Sequence, residues 1–137
     1  MDVITQDVQD VNEIGNIRII IVDDSEDVRR ALKNFISLTG DINVVGEATD
    51  GEEGLKKAVE LQPDIIIMDE KMPVLNGLEA SRIISESTLS SKVIMLTNYE
   101  DFELEAYRCG VTAYLVKGVK LDTLIDCIRR VHQGEVN

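Results

Sequence analysis

Four hydrophobic runs in this 137-residue chain end abruptly in residues able to do chemistry. Ile17 to Val22 runs into Asp23 and Asp24, Ile65 to Met68 into Asp69, Val93 to Leu96 into Thr97, and Ala113 to Val116 into Lys117. A fifth run, Asn43 to Ala48, lies between the first two. Several are continuous and β-branched, as strands buried on both faces are. Amphipathic stretches separate them: Val28, Ala31, Leu32 and Phe35; Leu55, Ala58 and Val59; Leu78, Ile83 and Ile84; and, most regularly, Leu121, Leu124, Ile125 and Ile128. Asp50-Gly51, Pro63, Asn76-Gly77 and Gly110 punctuate the boundaries as caps and breakers do. Repeated β-α alternation with right-handed crossovers predicts a parallel α/β sheet, doubly wound with helices on both faces.

In such a sheet the carboxyl ends of the strands open onto one edge, where ligands bind. Asp23, Asp24, Asp69, Thr97 and Lys117 would then share a pocket. Three carboxylates in one cleft repel one another unless a hard cation neutralises them, and all-oxygen ligation suits Mg²⁺. A hydroxyl and an ammonium beside that cation suit a phosphoryl group. Singly, each residue has a plainer reading: Asp23-Asp24 as a turn or helix cap, Thr97 as a strand end, Lys117 as a solvated lysine. Their joint occurrence at strand ends is what points to a site.

Composition sets the outer bounds. The length allows one domain with one core. A net charge of −12 argues against direct nucleic-acid binding, whose affinity comes largely from Lys and Arg on phosphates. No apolar run approaches the roughly 20 residues of a membrane span, and the acidic amino terminus lacks signal-peptide features, so a cytoplasmic location is expected. Cys109 and Cys127 have no metal-ligand spacing and are expected to be free thiols. Residues 1–16 read as an acidic extension, with Ile4, Val8 and Val11 spaced for either a loose tail or a short docking helix. The domain proper is placed at 17–135, with 136–137 the start of a linker or the chain end.

The chain resembles a response-regulator receiver domain from Ile17 to about Glu135. The resemblance is carried by Val22-Asp23-Asp24 before a helix, Asp69 followed by Met72-Pro73, Asn76-Gly77, Leu96-Thr97 and Tyr114-Leu115-Val116-Lys117. It implies a flavodoxin-like (βα)5 fold of strand order 2-1-3-4-5. It implies that Asp69 is the phosphoacceptor for a histidine kinase, that Asp24 and Asp69 ligate Mg²⁺, that Asp23 acts through water, and that the Lys71 backbone carbonyl is a further ligand. Thr97 and Lys117 would bind the phosphoryl group, and Thr97 and Tyr114 would form the switch. The implied role is a signalling domain that assists its own phosphorylation and dephosphorylation without being an enzyme in the ordinary sense.

Two residues depart from the family pattern. Asn98 stands where alanine is usual, which narrows access to the phosphoryl group, and Gly118 stands where proline is common, which puts the cis bond often seen there in doubt. Lys71 and Tyr99 fall at positions that in the family tune phosphoryl loss. The segment Cys127 to Glu135 is similar to the last helix of NarL/FixJ-type regulators, in which a helix-turn-helix domain follows. The expectation is therefore an excised or free-standing receiver that acts on transcription through a domain missing here. His132, the only histidine, reads as a helix-end residue. Homodimerisation on phosphorylation is expected from the same resemblance; Val28, Ala31, Leu32, Phe35, Ile36 and Leu38 are either all core or in part an exposed patch.

Two other functions compete. A haloacid-dehalogenase-like phosphatase also uses an aspartate after a parallel strand with Mg²⁺, but wants a second aspartate two residues on, where this chain has Ser25 and Lys71. A receiver-like interaction module that is never phosphorylated would have no need of the intact Asp23, Asp24, Asp69, Thr97 and Lys117 set.

Overall fold

The computed structural model describes residues 16–134; residues 1–15 of the amino-terminal extension, and residues 135–137 at the end of the domain and the linker, lie outside them. Strands β1 (Ile17–Val22), β2 (Ile42–Ala48), β3 (Ile65–Met68), β4 (Lys92–Thr97) and β5 (Ala113–Val116) alternate with helices α1 (Glu26–Ile36), α2 (Gly51–Leu61), α3 (Gly77–Ser85), α4 (Glu103–Arg108) and α5 (Leu121–His132). All strand pairings are parallel, in the order β2-β1-β3-β4-β5. This is the flavodoxin-like arrangement expected from the sequence.

Strand geometry sorts the apolar runs onto two faces, because successive side chains point to opposite sides of the sheet. Ile19 and Ile21 of β1, Ile65 and Ile67 of β3, and Ile94 and Leu96 of β4 pack with Leu32 and Ile36 of α1 and Leu124 and Ile128 of α5. The intervening Ile20, Val22, Ile66, Met68, Val93 and Met95 pack instead with Ala58 of α2, Leu78 and Ile84 of α3, and Ala106 of α4. Unbroken apolar strands are thus required because both faces are covered.

Each of the first three helices starts on a side-chain cap supplied by the strand-to-helix loop. Ser25 accepts from the Val28 amide, Asp50 from Glu53, and Asn76 from Glu79. A cap of this kind contributes about 1 kcal/mol and also fixes where the chain leaves the strand edge. Gly110, at φ +90°, ends α4 in the left-handed conformation the sequence suggested.

Some apolar positions read as helix stripes face solvent instead. Val59 is 63% exposed, and Ile83 and Leu121 are each 41% exposed, because the buried stripes of these helices need only the neighbouring Ala58, Ile84 and Leu124. In α1 only Leu32 and Ile36 are fully inside; Val28 and Phe35 are half-buried and Ala31 is exposed. Leu38 lies beyond the helix and is 81% exposed, so the six apolar residues of this region are not all core. At the opposite edge, Arg129 of α5 donates two 2.9 Å hydrogen bonds to Asp41, tying the last helix to the segment before β2. The guanidinium holds the Asp41 carboxyl below its ordinary range.

Candidate phosphoacceptor and cation site

β1 and β3 are neighbours whose crossovers leave in opposite directions, and the residues that follow them stand at the resulting switch point. Asp23 continues β1, its amide donating to the Ala48 carbonyl, and Asp69 continues β3, its amide donating to the Val22 carbonyl at 2.9 Å. The Lys117 amide donates to the Thr97 carbonyl at 2.7 Å, which brings the ends of β4 and β5 to the same edge. The structure therefore gathers the five residues singled out by the sequence.

Carboxylate oxygens of Asp23, Asp24 and Asp69 lie within 4.8 Å of one another. Asp23 and Asp69 are buried and Asp24 is exposed, so the cluster is open to water on one side. The Lys117 ammonium reaches into it, 2.7 Å from Asp23 Oδ2 and 3.5 Å from Asp69 Oδ2. Burial pushes the Asp69 carboxyl up, and the negative charge of Asp23 pushes it further, against the pull of Lys117. For Lys117, burial works against the charged form, but the hydrogen bond and charge of Asp23 outweigh it and the ammonium is held above its ordinary range. An all-oxygen set with surplus negative charge and an open side fits a hard divalent cation.

Thr97 is completely buried at the end of β4, and its Oγ1 makes no close hydrogen bond, although the hydroxyl is near enough to the Asp69 carboxyl to help hold it down. An oxygen-rich group arriving on Asp69 would find that donor already in place. Tyr114 is also buried, its hydroxyl donating to the Tyr99 backbone carbonyl. Tyr99 packs edge-on against Phe102, and the Lys71 ammonium lies 4.2 Å above the Tyr99 ring centre, so the loops after β3 and β4 touch at the rim. Asn98 is exposed, and no cis peptide occurs among the described residues. Gly118 has φ +105°, which a proline ring locked near −65° could not adopt.

Two contributors were not singled out from sequence. Arg29 of α1 donates to the Asp23 backbone carbonyl at 2.7 Å while pairing with Glu47 of β2 at 3.1 Å, so it pins the acidic turn from beneath. Glu70 is only 4% exposed, and its Oε1 accepts from the Leu78 amide at 3.1 Å. A charged residue directly after an apolar strand carries no sequence signal that it turns inward. The six-residue step from Asp23 to Arg29 could have placed the latter on the α1 face toward the sheet.

Close packing beneath the site explains Asn76-Gly77. A Cβ at position 77 would sit 2.0 Å from the Asp69 carbonyl oxygen, and the Gly77 amide donates to the Glu70 carbonyl at 2.8 Å. Only glycine lets α3 begin this close to the backbone that carries Asp69.

The comparisons with known proteins agree with this geometry. Residues 19–129 match the family model described as "Response regulator receiver domain". The chain is 42% identical over 120 residues to the transcriptional regulatory protein LnrK of Bacillus subtilis, covering 86% of this chain and 54% of LnrK. It thus spans about half the length of such curated relatives. Among solved structures it is similar to the response regulator domain of Thermotoga maritima CheB, with a TM-score of 0.80 at 37% identity over 86% of this chain and 97% of that one. A LuxR-family two-component response regulator from Aurantimonas sp. SI85-9A1 gives a TM-score of 0.84 at 29% identity, covering 88% of each chain.

Gly77→Ala should lower stability by about 1–3 kcal/mol, as overpacking against backbone does. Urea denaturation would check this, and an unchanged midpoint would show that α3 is not seated on the Asp69 carbonyl.

Proposed function

Since the chain belongs to the response regulator receiver domain family, we propose that it accepts a phosphoryl group on Asp69 from a sensor histidine kinase and passes the change on as a conformational signal. The observation that carries this reading is the buried Asp69 flanked by Asp23, Asp24 and Lys117, with the buried Thr97 hydroxyl at the end of the neighbouring strand.

The chemistry asked of the residues is modest, because phosphoryl transfer depends mainly on in-line positioning and charge neutralisation. An Asp69 carboxylate oxygen attacks phosphorus, the phosphorus–nitrogen bond to the donor imidazole breaks, and an acyl phosphate forms. Asp24 and Asp69 would hold Mg²⁺ directly, Asp23 through water and Lys71 through its backbone carbonyl; bound there, the ion neutralises phosphoryl oxygens. Lys117 would exchange its contact with Asp23 for one with the phosphoryl group, and Thr97 would donate its hydroxyl to another oxygen. A phosphatase of the haloacid-dehalogenase type is disfavoured by Ser25 and Lys71, which stand where its second aspartate would be.

Thr97 and Tyr114 are the proposed switch. Tyr114 already points inward, so a Thr97 hydroxyl drawn to the phosphoryl group would hold the 98–102 loop in the position that accepts the Tyr114 hydrogen bond. LnrK is by name a transcriptional regulatory protein, and the output proposed for the whole protein is control of transcription through a helix-turn-helix domain. A homodimer is the proposed intermediate step, with a second copy of the chain meeting the α1 side. A groove of about 200 Å³ there, lined by Val28, Ala31, Leu32, Val119, Leu121 and Leu124, offers apolar surface beside the site lysine.

Incubation with acetyl phosphate and Mg²⁺, read by intact mass, should give one phosphoryl adduct, and Asp69→Ala should give none; an adduct at undiminished rate in that variant would sink the assignment. Thr97→Ala should still be phosphorylated, but with smaller NMR shift changes across residues 98–116 on adding beryllofluoride. Changes as large as in the parent would refute the coupling. Sedimentation of the 15.3 kDa chain with Mg²⁺ should show a dimer favoured by beryllofluoride. A monomer at high concentration in both conditions would remove dimerisation of this domain as its output.

A further inference from the structure

Glu70 links the acceptor residue to helix α3 through groups the phosphoryl chemistry does not use. Its backbone amide donates to Asp69 Oδ1 at 2.9 Å, the carboxylate oxygen turned away from Lys117. Its carbonyl accepts from the Gly77 amide at 2.8 Å, and its side-chain Oε1 accepts from the Leu78 amide at 3.1 Å. Asn76 takes the next amide, that of Glu79, at 2.9 Å. The first turn of α3 therefore presents its free amides to two residues only, and two of the three go to Glu70.

A helix N-terminus leaves its first amides without helical partners, and burying them unpaired is costly. Leu78 is among the buried residues and lies against the second core, so water does not readily replace the Glu70 carboxylate. The consequence for Asp69 is geometric. With its side chain and its carbonyl both tied to α3, Glu70 is held from two sides, and its amide, in the peptide that joins it to Asp69, holds Asp69 Oδ1. That leaves Oδ2 to Lys117, at 3.5 Å.

We propose that Glu70 is a positioning residue for phosphoryl transfer: its side-chain hydrogen bond to the start of α3 sets the peptide that aims the Asp69 carboxylate. This rests on Asp69 being the acceptor, and it adds that α3 and Asp69 are one rigid unit. The essential property is a hydrogen-bond acceptor at Oε1, not a negative charge.

The test compares the parent with Glu70→Leu, which keeps the bulk but has no acceptor, and Glu70→Gln, which keeps a side-chain oxygen. Phosphorylation by acetyl phosphate at saturating Mg²⁺ is followed by intact mass, with the Glu70 (or substituted) and Leu78 amide resonances and the urea midpoint recorded for each. Glu70→Leu should be slowed about ten-fold, in line with the sensitivity of such reactions to small misplacements of the attacking group. Glu70→Gln should recover most of the rate and the parental Leu78 amide shift. Parental rate in Glu70→Leu would overturn the proposal, as would equal slowing in both variants, which would make charge rather than hydrogen bonding the cause. Should Glu70→Leu not fold, the Glu70→Gln arm decides alone, with a slowed rate at an unchanged Leu78 shift overturning the proposal and a retained rate with that shift supporting it. A parent that takes up no phosphoryl group would overturn the acceptor reading and this inference together, a result distinct from a reactive parent with an equally reactive Glu70→Leu.

Discussion

The contact of Lys117 with Asp23 and Asp69 is the constraint on which the rest of this structure turns. Two buried carboxylates and a third at the surface share a cleft in which one oxygen of each lies within 4.8 Å of the others. At an effective dielectric constant of about 20, like charges ~5 Å apart repel by about 3 kcal/mol. The ammonium 2.7 Å from Asp23 offsets much of this, and it must be carried there by β5 at the far end of the β1-β3-β4-β5 series. The acidic cluster thus depends on three consecutive parallel pairings being in register. The surplus negative charge that remains is what makes the cleft suited to a divalent cation.

Around that cluster the loops are held more tightly than their polar composition suggests. The loop between β3 and α3 is fixed at both ends: Gly77 against the Asp69 carbonyl, and Leu75, whose carbonyl accepts from the Gly51 amide at 3.0 Å. A Cβ on Gly51 would meet that oxygen at 2.2 Å, so α2 and the loop require glycine at their contact just as α3 and Asp69 do. Just before Leu75, Val74 adopts φ +69°, closed by the Leu75 amide on the Pro73 carbonyl at 2.7 Å. A β-branched residue in that conformation costs about 1–3 kcal/mol, and here it sits five residues beyond Asp69, exposed on the same loop. Strain at this place accords with a loop set by its anchors rather than by local preference.

Most of the architecture was legible in the chain. The strand bounds expected from apolar runs agree with those observed to within a residue at each end, because strands buried on both faces leave an uninterrupted signal. Helix faces were read less well. Val59, Ile83 and Leu121 obey helical spacing yet face solvent, since a short helix on a sheet buries a narrow stripe and apolar neighbours at its margin look the same in sequence. The site residues at strand ends were legible for the same reason as the strands, as each is marked by the abrupt end of a run. Glu70 and Arg29 were not, because their roles depend on hydrogen bonds to backbone groups that sequence spacing does not label.

The sequence by itself determined the parallel β-α alternation, the residues at the strand ends and the start of α3 at Asn76-Gly77, all consequences of local periodicity and cap chemistry. Tertiary structure decided what those residues meet. It set Lys117 between Asp23 and Asp69 and left the Thr97 hydroxyl buried without a close hydrogen bond. It turned Tyr114 inward onto the Tyr99 carbonyl and placed the Glu70 carboxylate beneath α3. These are contacts between residues 8 to 94 positions apart, and only closure of the sheet and its helices brings such groups within hydrogen-bond reach.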